Sequence, residues 1–232
     1  MSIDLLHRRT IGWLLACALC TLGAAPPTEA QTFTDVSATA LPGIATAPGA
    51  VSGEPEFTGG GAVGDCDGDG HPDIYFTGGR HEVLYRNRGD GTFEDVTVAA
   101  GLGVERGTRG AAFGDVDGDG DLDLFVTGYA RARHYLYVND GSCRFTDEAV
   151  ERGVAVDSDA YGRSASFADY DRDGYLDLFV AEFASGALNA GVPPPVSHLF
   201  RNRGAAQPGF FEDVTIAAGV AVDAIEGTQD GT

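Results

Sequence analysis

The strongest constraint in this sequence is a nine-residue pattern, Asp-x-Asp-x-Asp-Gly-x-x-Asp, that recurs three times. Its acids are Asp65, Asp67, Asp69 and Asp73, then Asp115, Asp117, Asp119 and Asp123, then Asp169, Asp171, Asp173 and Asp177. The leading aspartates stand 50 and then 54 residues apart, so the chain is an array of similar units. Each pattern lies inside a longer matching segment: GGGAVGDCDGDGHPDIYFTGG, RGAAFGDVDGDGDLDLFVTGY and RSASFADYDRDGYLDLFVAEF. A second signature follows in every unit, running Leu84 to Gly89, Leu136 to Gly141 and Leu199 to Gly204. A third closes it: Phe93-Glu94-Asp95, Phe145-Thr146-Asp147 and Phe211-Glu212-Asp213, with an early unpaired copy at Phe33-Thr34-Asp35-Val36.

Each unit reads as four short strands. In the second copy they fall at Gly110 to Gly114, Leu122 to Val126, Tyr135 to Val138, and through Phe145. Asn-x-Gly turns join the last two, a hairpin signal. Runs such as Leu-Phe-Val lack alternation, which predicts strands covered on both faces. No segment between them has the length or period of an amphipathic helix. Four-stranded units at this spacing predict an all-β fold, a β-propeller with about three blades present. A β-sandwich with fortuitous repeats is the alternative. The expected organisation is a signal peptide at 1–30, a leading strand and linker at 31–55, and blade repeats at 56–101, 102–153 and 154–219. Residues 220–232 begin a fourth repeat. Three blades do not close a ring, so the expectation is the N-terminal part of a longer protein, or a truncated one, ahead of closure by self-association.

Hard oxygen ligands at alternate positions with a glycine bend (Gly70, Gly120, Gly174) are how a loop wraps calcium. Position seven, occupied by His71, Asp121 and Tyr175, varies in chemistry, which suits a ligand offered by the backbone carbonyl. An EF-hand needs a bidentate Glu at position twelve. Here that position is Phe76, Val126 or Val180, and the fourth carboxylate arrives at position nine. Asp and Gly are also ordinary turn formers. Three loops in register, each keeping all four acids, favour about three Ca²⁺ sites over that reading. Magnesium fits less well, because it prefers fewer carboxylates and keeps more water.

With these loops and the Asn-x-Gly hairpins, the chain resembles the FG-GAP/VCBS repeat family over roughly residues 33–216. That family includes the integrin α-chain propeller and bacterial secreted proteins similar to cartilage acidic protein. The resemblance implies a seven-bladed propeller with calcium between the first two strands of a blade, used for adhesion or ligand binding. No C-terminal domain of the ASPIC/UnbV type is present in the sequence.

Charge sharpens the reading. Thirty-five acidic residues face fifteen basic ones, all arginine, for a formal charge of −20. Nucleic acid is excluded as a partner, since a phosphate backbone needs a basic footprint. His7, Arg8 and Arg9 precede an apolar stretch from Ile11 to Leu22, which reads as an export signal too short to span a bilayer. Cleavage is expected between Ala24 and Gln31, giving an extracellular or periplasmic protein with no transmembrane segment in the mature chain. Alternatively, Leu14-Leu15-Ala16-Cys17 is a lipoprotein box that leaves Cys17 as an envelope anchor. Cys66 and Cys143 sit at non-equivalent places in different repeats, which favours two lone thiols over a disulfide.

Catalytic signatures are lacking. There is no nucleophile elbow or phosphate-binding glycine loop, and no histidine pair spaced for zinc. The expectation is therefore a binding or adhesion module for a protein or glycan ligand. A polysaccharide-degrading propeller is the alternative, and a structural repeat fragment a third reading. Arg88-Gly89-Asp90 is explained by hairpin chemistry as well as by adhesion. The insertion Ala184 to Val196, with Arg106, Arg109 and Arg163, is the expected ligand face.

Overall fold

Glycine-rich first strands and apolar second strands assemble into three four-stranded antiparallel sheets. The computed structural model describes residues 34–41, 59–77, 82–103, 107–128, 133–156, 161–183 and 197–221. Val36–Thr232 form one compact unit. The first sheet orders β1 (Gly61–Gly64), β2 (Asp73–Phe76), β3 (Val83–Asn87) and β4 (Phe93–Asp95) as they occur in the chain. The second does the same with β5 (Thr108–Gly114), β6 (Asp123–Gly128), β7 (Tyr135–Asn139) and β8 (Phe145–Asp147). The third contains β9 (Tyr161–Ala168), β10 (Asp177–Phe183), β11 (His198–Asn202) and β12 (Phe211–Asp213). Among the described residues the fold is thus all-β, with three four-stranded blades of propeller type, and every strand read from the second repeat is present.

The core lies between blades rather than within them. Tyr75 and Leu84 of the first blade pack with Leu124, Val126 and Tyr137 of the second. On the other face of the second blade, Phe125 and Leu136 pack with Leu178, Val180 and Phe200 of the third. Strand β6 is buried along its whole length because its two faces meet two different neighbours. That explains a run without alternation. Each such side chain contributes roughly 1.5–3 kcal/mol on leaving water.

Blade spacing is set by glycines that accept the next blade's aromatic ring. A Cβ at Gly64 would come within 2.9 Å of the Phe113 ring, and one at Gly114 within 2.7 Å of Phe167. Hydrogen bonds repeat the same stitch at the rim. Phe145 N–H donates to Ala100 O and Phe211 N–H to Arg152 O, both at 2.9 Å, each joining a fourth strand to the turn that ends the preceding blade.

Two expectations change. Phe33 lies outside the described residues, and Thr34–Val36 form no strand; what repeats is the turn that follows. Ala40 N–H donates to Val36 O at 2.9 Å in the short α1 (Ser37–Ala40), as Ala100 does to Val96 and Ala218 to Val214 at 2.7 Å. The second change is a correction: Cys66 and Cys143 form a disulfide, with Cα atoms 4.8 Å apart. Non-equivalence misled because the relevant symmetry is between neighbours. The loop after the first strand of one blade and the hairpin turn of the next share one rim, so different repeat positions come face to face.

This bridge closes a loop across 77 residues of sequence separation. Chain entropy then predicts that Cys66→Ser/Cys143→Ser lowers the unfolding free energy by about 4 kcal/mol, measured by urea titration. A change below about 1 kcal/mol would show that the bridge is not a staple between blades.

Candidate metal centre

Each aspartate loop joins the first strand of a blade to the second, and its backbone bends through glycine at position six. Gly70, Gly120 and Gly174 have φ of +88°, +97° and +94°, a region closed to most side chains. Position four is also left-handed, at Gly68 and Gly118. In the third loop Arg172 takes it with φ of +64°, a strained conformation that costs about 1–2 kcal/mol.

The acids divide into three roles. Position one organises the loop: Asp65 accepts from Asp69 N–H (3.1 Å) and Gly70 N–H (2.8 Å), and Asp169 accepts from Asp173 N–H and Gly174 N–H (both 3.0 Å). Asp115 accepts from Gly118 N–H (2.7 Å) and Gly120 N–H (3.1 Å). Position nine is the buried hub. Asp73 accepts from Cys66 N–H (3.0 Å) and Asn87 N–H (2.8 Å). Asp123 does so from Val116 N–H (3.1 Å) and Asn139 N–H (2.9 Å), and Asp177 from Tyr170 N–H (3.0 Å) and Asn202 N–H (2.8 Å). Position five turns outward. Asp69, Asp119 and Asp173 are exposed, and each accepts from the N–H of position seven at 2.8–2.9 Å.

Oxygens of positions one, three and nine therefore converge. In each of the sets Asp65/Asp67/Asp73, Asp115/Asp117/Asp123 and Asp169/Asp171/Asp177, one oxygen per residue lies within 4.8 Å of the others. Cys66, Asp73 and Cys143 also lie that close, but the disulfide consumes both thiols. Position seven contributes its side chain elsewhere: His71 and Asp121 cover the hairpin glycines Gly89 and Gly141, where a Cβ would come within 2.5 Å of either. Tyr175, with Asp173, covers Gly204.

Electrostatics favour a cation in these sets. Burial pushes the Asp73, Asp123 and Asp177 carboxyls up, against the pull of two backbone N–H groups each; Asp123 reaches about 7. From its ordinary 3.8, that is roughly 4 kcal/mol set against the charged form. Asp117 is raised as well, by burial and then by Asp119. Its Oδ1 is buried and lacks a hydrogen-bond partner, while its Oδ2 accepts from Arg152 Nη1 at 3.2 Å. A buried acceptor with nothing to accept from, on a residue of a three-carboxylate set, fits a hard divalent ion.

Sequence reasoning missed four residues here. Arg152, in the turn after β8, is held by Glu148 (2.8 Å) and lies 5.2 Å from the Phe210 ring, bringing a guanidinium to the second loop. Its neighbours in sequence gave no signal. The hairpin asparagines Asn87, Asn139 and Asn202 carry a clear one, recurring at the same place in every copy, but turn chemistry alone does not reveal their reach to the loops. Arg88-Gly89-Asp90 behaves as that turn: Gly89 N–H donates to Asn87 Oδ1, and Asp90 accepts from Thr92 N–H and Oγ1–H. Of the expected ligand face, Arg106 and residues 184–196 lie outside the described residues. Arg109 and Arg163 belong to β5 and β9, where main chains pass so closely that a Cβ at Gly110 would sit 2.8 Å from Arg163 O.

Comparison with known proteins agrees with this geometry. The family described as FG-GAP-like repeat matches residues 65–126 and again 115–180, each match running from one aspartate loop to the second strand of the next blade. No curated protein matches the chain. Among solved structures, a similar one is a lectin from Agrocybe aegerita, described as recognising non-reducing terminal N-acetylglucosamine. It is 27% identical, with 65% of this chain and 36% of that chain covered and a TM-score of 0.37, too low to bear on function.

The hub role of position nine is open to a direct check. Asp123→Ala strips two buried N–H groups of their acceptor, at about 1–3 kcal/mol each. Urea unfolding should show a loss of about 2–4 kcal/mol for Asp123→Ala and about 1 kcal/mol or less for Asp119→Ala. Equal losses would contradict the division of roles.

Proposed function

This chain belongs to the FG-GAP-like repeat family, and from that premise we propose that it is a calcium-stabilised propeller module that works outside the cell by binding a protein or glycan. What carries the reading is the convergence of three carboxylates in each of three successive loops, one of them with an oxygen, Asp117 Oδ1, that is buried and unpartnered. Asp65, Asp67 and Asp73 would hold the first ion, Asp115, Asp117 and Asp123 the second, and Asp169, Asp171 and Asp177 the third. The backbone carbonyls of His71, Asp121 and Tyr175 complete each proposed set, while the carboxylates of Asp69, Asp119 and Asp173 turn outward and brace the loop by accepting from the position-seven N–H. Calcium supplies most of the positive charge that these loops need, and so ties ion binding to folding. Arg86 lies 4.0 Å from Asp67 at the first loop but is exposed, whereas Arg152 is buried against Asp117 at the second, which should therefore be the weakest of the three.

An extracellular setting is supported by the family, whose repeats are typical of extracellular proteins, and by the Cys66–Cys143 disulfide, which suits an oxidising compartment. Among the described residues no helix is long and apolar enough to cross a membrane. The export signal at 1–30 and the alternative lipid anchor at Cys17 lie outside the described residues. The proposed ligand face is the end of the blades opposite the aspartate loops, the end at which β10 finishes and β11 begins; residues 184–196, between them in sequence, lie outside the described residues. Loops of that kind carry function on a rigid scaffold. No catalytic role is proposed, because the sequence carries no nucleophile elbow or phosphate-binding glycine loop.

One set of measurements on the full chain tests this reading. Thermal melts in 10 mM CaCl₂, 10 mM MgCl₂ and EDTA should show a rise specific to calcium. For affinities of about 10⁻⁴–10⁻³ M the gain is roughly 1.4–2.7 kcal/mol per loop, and Asp117→Asn should remove one loop's share. A glycan array probed under the same conditions should give hits in calcium that vanish in EDTA. A melt indifferent to calcium would overturn the metal reading, and release of sugar from the array glycans would overturn the non-enzymatic one.

A further inference from the structure

The three loops are joined by hydrogen bonds that pass from blade to blade. At the end of β7, Asn139 Nδ2 donates to Cys66 O in the preceding blade's loop at 2.7 Å, and to Leu122 O of its own at 3.1 Å. The same residue's backbone N–H donates to Asp123 Oδ1. Asn202, at the end of β11, repeats both contacts. Its Nδ2 donates to Val116 O in the second loop at 2.7 Å and to Leu176 O at 3.1 Å, while its N–H donates to Asp177 Oδ1.

An unbroken path follows. Cys66 N–H reaches Asp73, Cys66 O takes Asn139, Asn139 N–H reaches Asp123, and Val116 N–H reaches the other oxygen of Asp123. Val116 O then takes Asn202, whose N–H reaches Asp177. Asn139, Asn202, Asp123, Asp177, Cys66 and Val116 are all at most 4% exposed. In such dry surroundings hydrogen bonds are strong and a displaced partner is costly. Cys66 and Val116 occupy position two, between the first two carboxylates of their set. Whatever fixes Asp65 and Asp67 therefore fixes the carbonyl that Asn139 reads. Because Asn139 also holds Asp123, the orientation of a carboxylate in the second set depends on order in the first.

We propose that Asn139 and Asn202 are positioning residues that couple the three loops, so that filling one raises the calcium affinity of the next. This rests on the calcium reading given above. Thermodynamic linkage makes the effect mutual: the second loop tightens the first by the same factor. The disulfide at Cys66 adds a covalent tie between the same two blades. Arg152 then makes the second loop, with neighbours on both sides, the one that gains most from coupling.

The test is amide hydrogen exchange of the full chain, read by mass spectrometry across a calcium titration. In Asp65→Asn/Asp67→Asn the first set is disabled while Asn139 and Asp123 are untouched. The calcium concentration that half-protects residues 115–123 should rise at least about fivefold. Asn139→Ala should raise it similarly with the first loop intact, and adding the Asp65 and Asp67 changes to that variant should shift it no further. Should Asn139→Ala fail to fold, the Asp65→Asn/Asp67→Asn variant decides alone. If residues 115–123 keep their wild-type midpoint in that variant, the coupling is overturned while calcium binding stands. If calcium protects none of the three loops in the unmodified protein, the calcium reading itself fails and the coupling falls with it.

Discussion

A carboxylate buried at position nine is the interaction on which the rest of each blade depends. Asp73, Asp123 and Asp177 are among the least exposed side chains in the protein, and each collects two backbone N–H groups, one from its loop and one from its hairpin. That single residue fixes where the loop closes, where the third strand ends and how the two meet. The cost is a charge in a dry place. Two amide donors do not offset it, as the upward shift of Asp123 to about 7 shows. A cation held by positions one, three and nine, as proposed, would resolve the conflict. On the proposed reading, metal chemistry and fold are one problem: the residue that builds the blade is also the one that an ion would relieve.

Adjacent blades meet the same demand from both sides. Glycines accept aromatic rings, turn carbonyls accept fourth-strand amides, and hairpin asparagines reach the preceding loop. Such contacts are nearest-neighbour terms of the kind that govern repeat proteins, where stability sums over units and their interfaces. The blades are also joined at the ends of the strands opposite the aspartate loops, where Gly60 N–H donates to Arg109 O at 2.7 Å and His134 Nε2 lies 2.9 Å from Glu182 Oε1.

Much of this was legible in the sequence because repetition multiplied weak signals. One Asp-x-Asp-x-Asp-Gly-x-x-Asp loop is an acidic turn; three in register fix the strands on either side and the period of the fold. Burial of Leu124-Phe125-Val126 on both faces was readable from the lack of alternation, and the Asn-x-Gly hairpins from their turn chemistry. Position five carried no sign that its carboxylate turns outward, since Asp67 and Asp69 look alike as letters and differ only in whether the loop amide of position seven captures them. The Cys66–Cys143 bridge escaped because comparison of repeats aligns equivalent positions, whereas contact between blades pairs different ones. Arg152 escaped for the same reason: it belongs to the turn after β8 but serves the loop before β6.

The central claim is that cations sit among the convergent carboxylates, and crystals of the full chain grown in calcium and then exchanged with terbium would test it most directly. Anomalous difference maps should place one peak in each of three loops, within bonding distance of Asp65, Asp67 and Asp73, of Asp115, Asp117 and Asp123, and of Asp169, Asp171 and Asp177. Well-ordered loops with no peak among these carboxylates, or peaks only elsewhere on the acidic surface, would contradict the account.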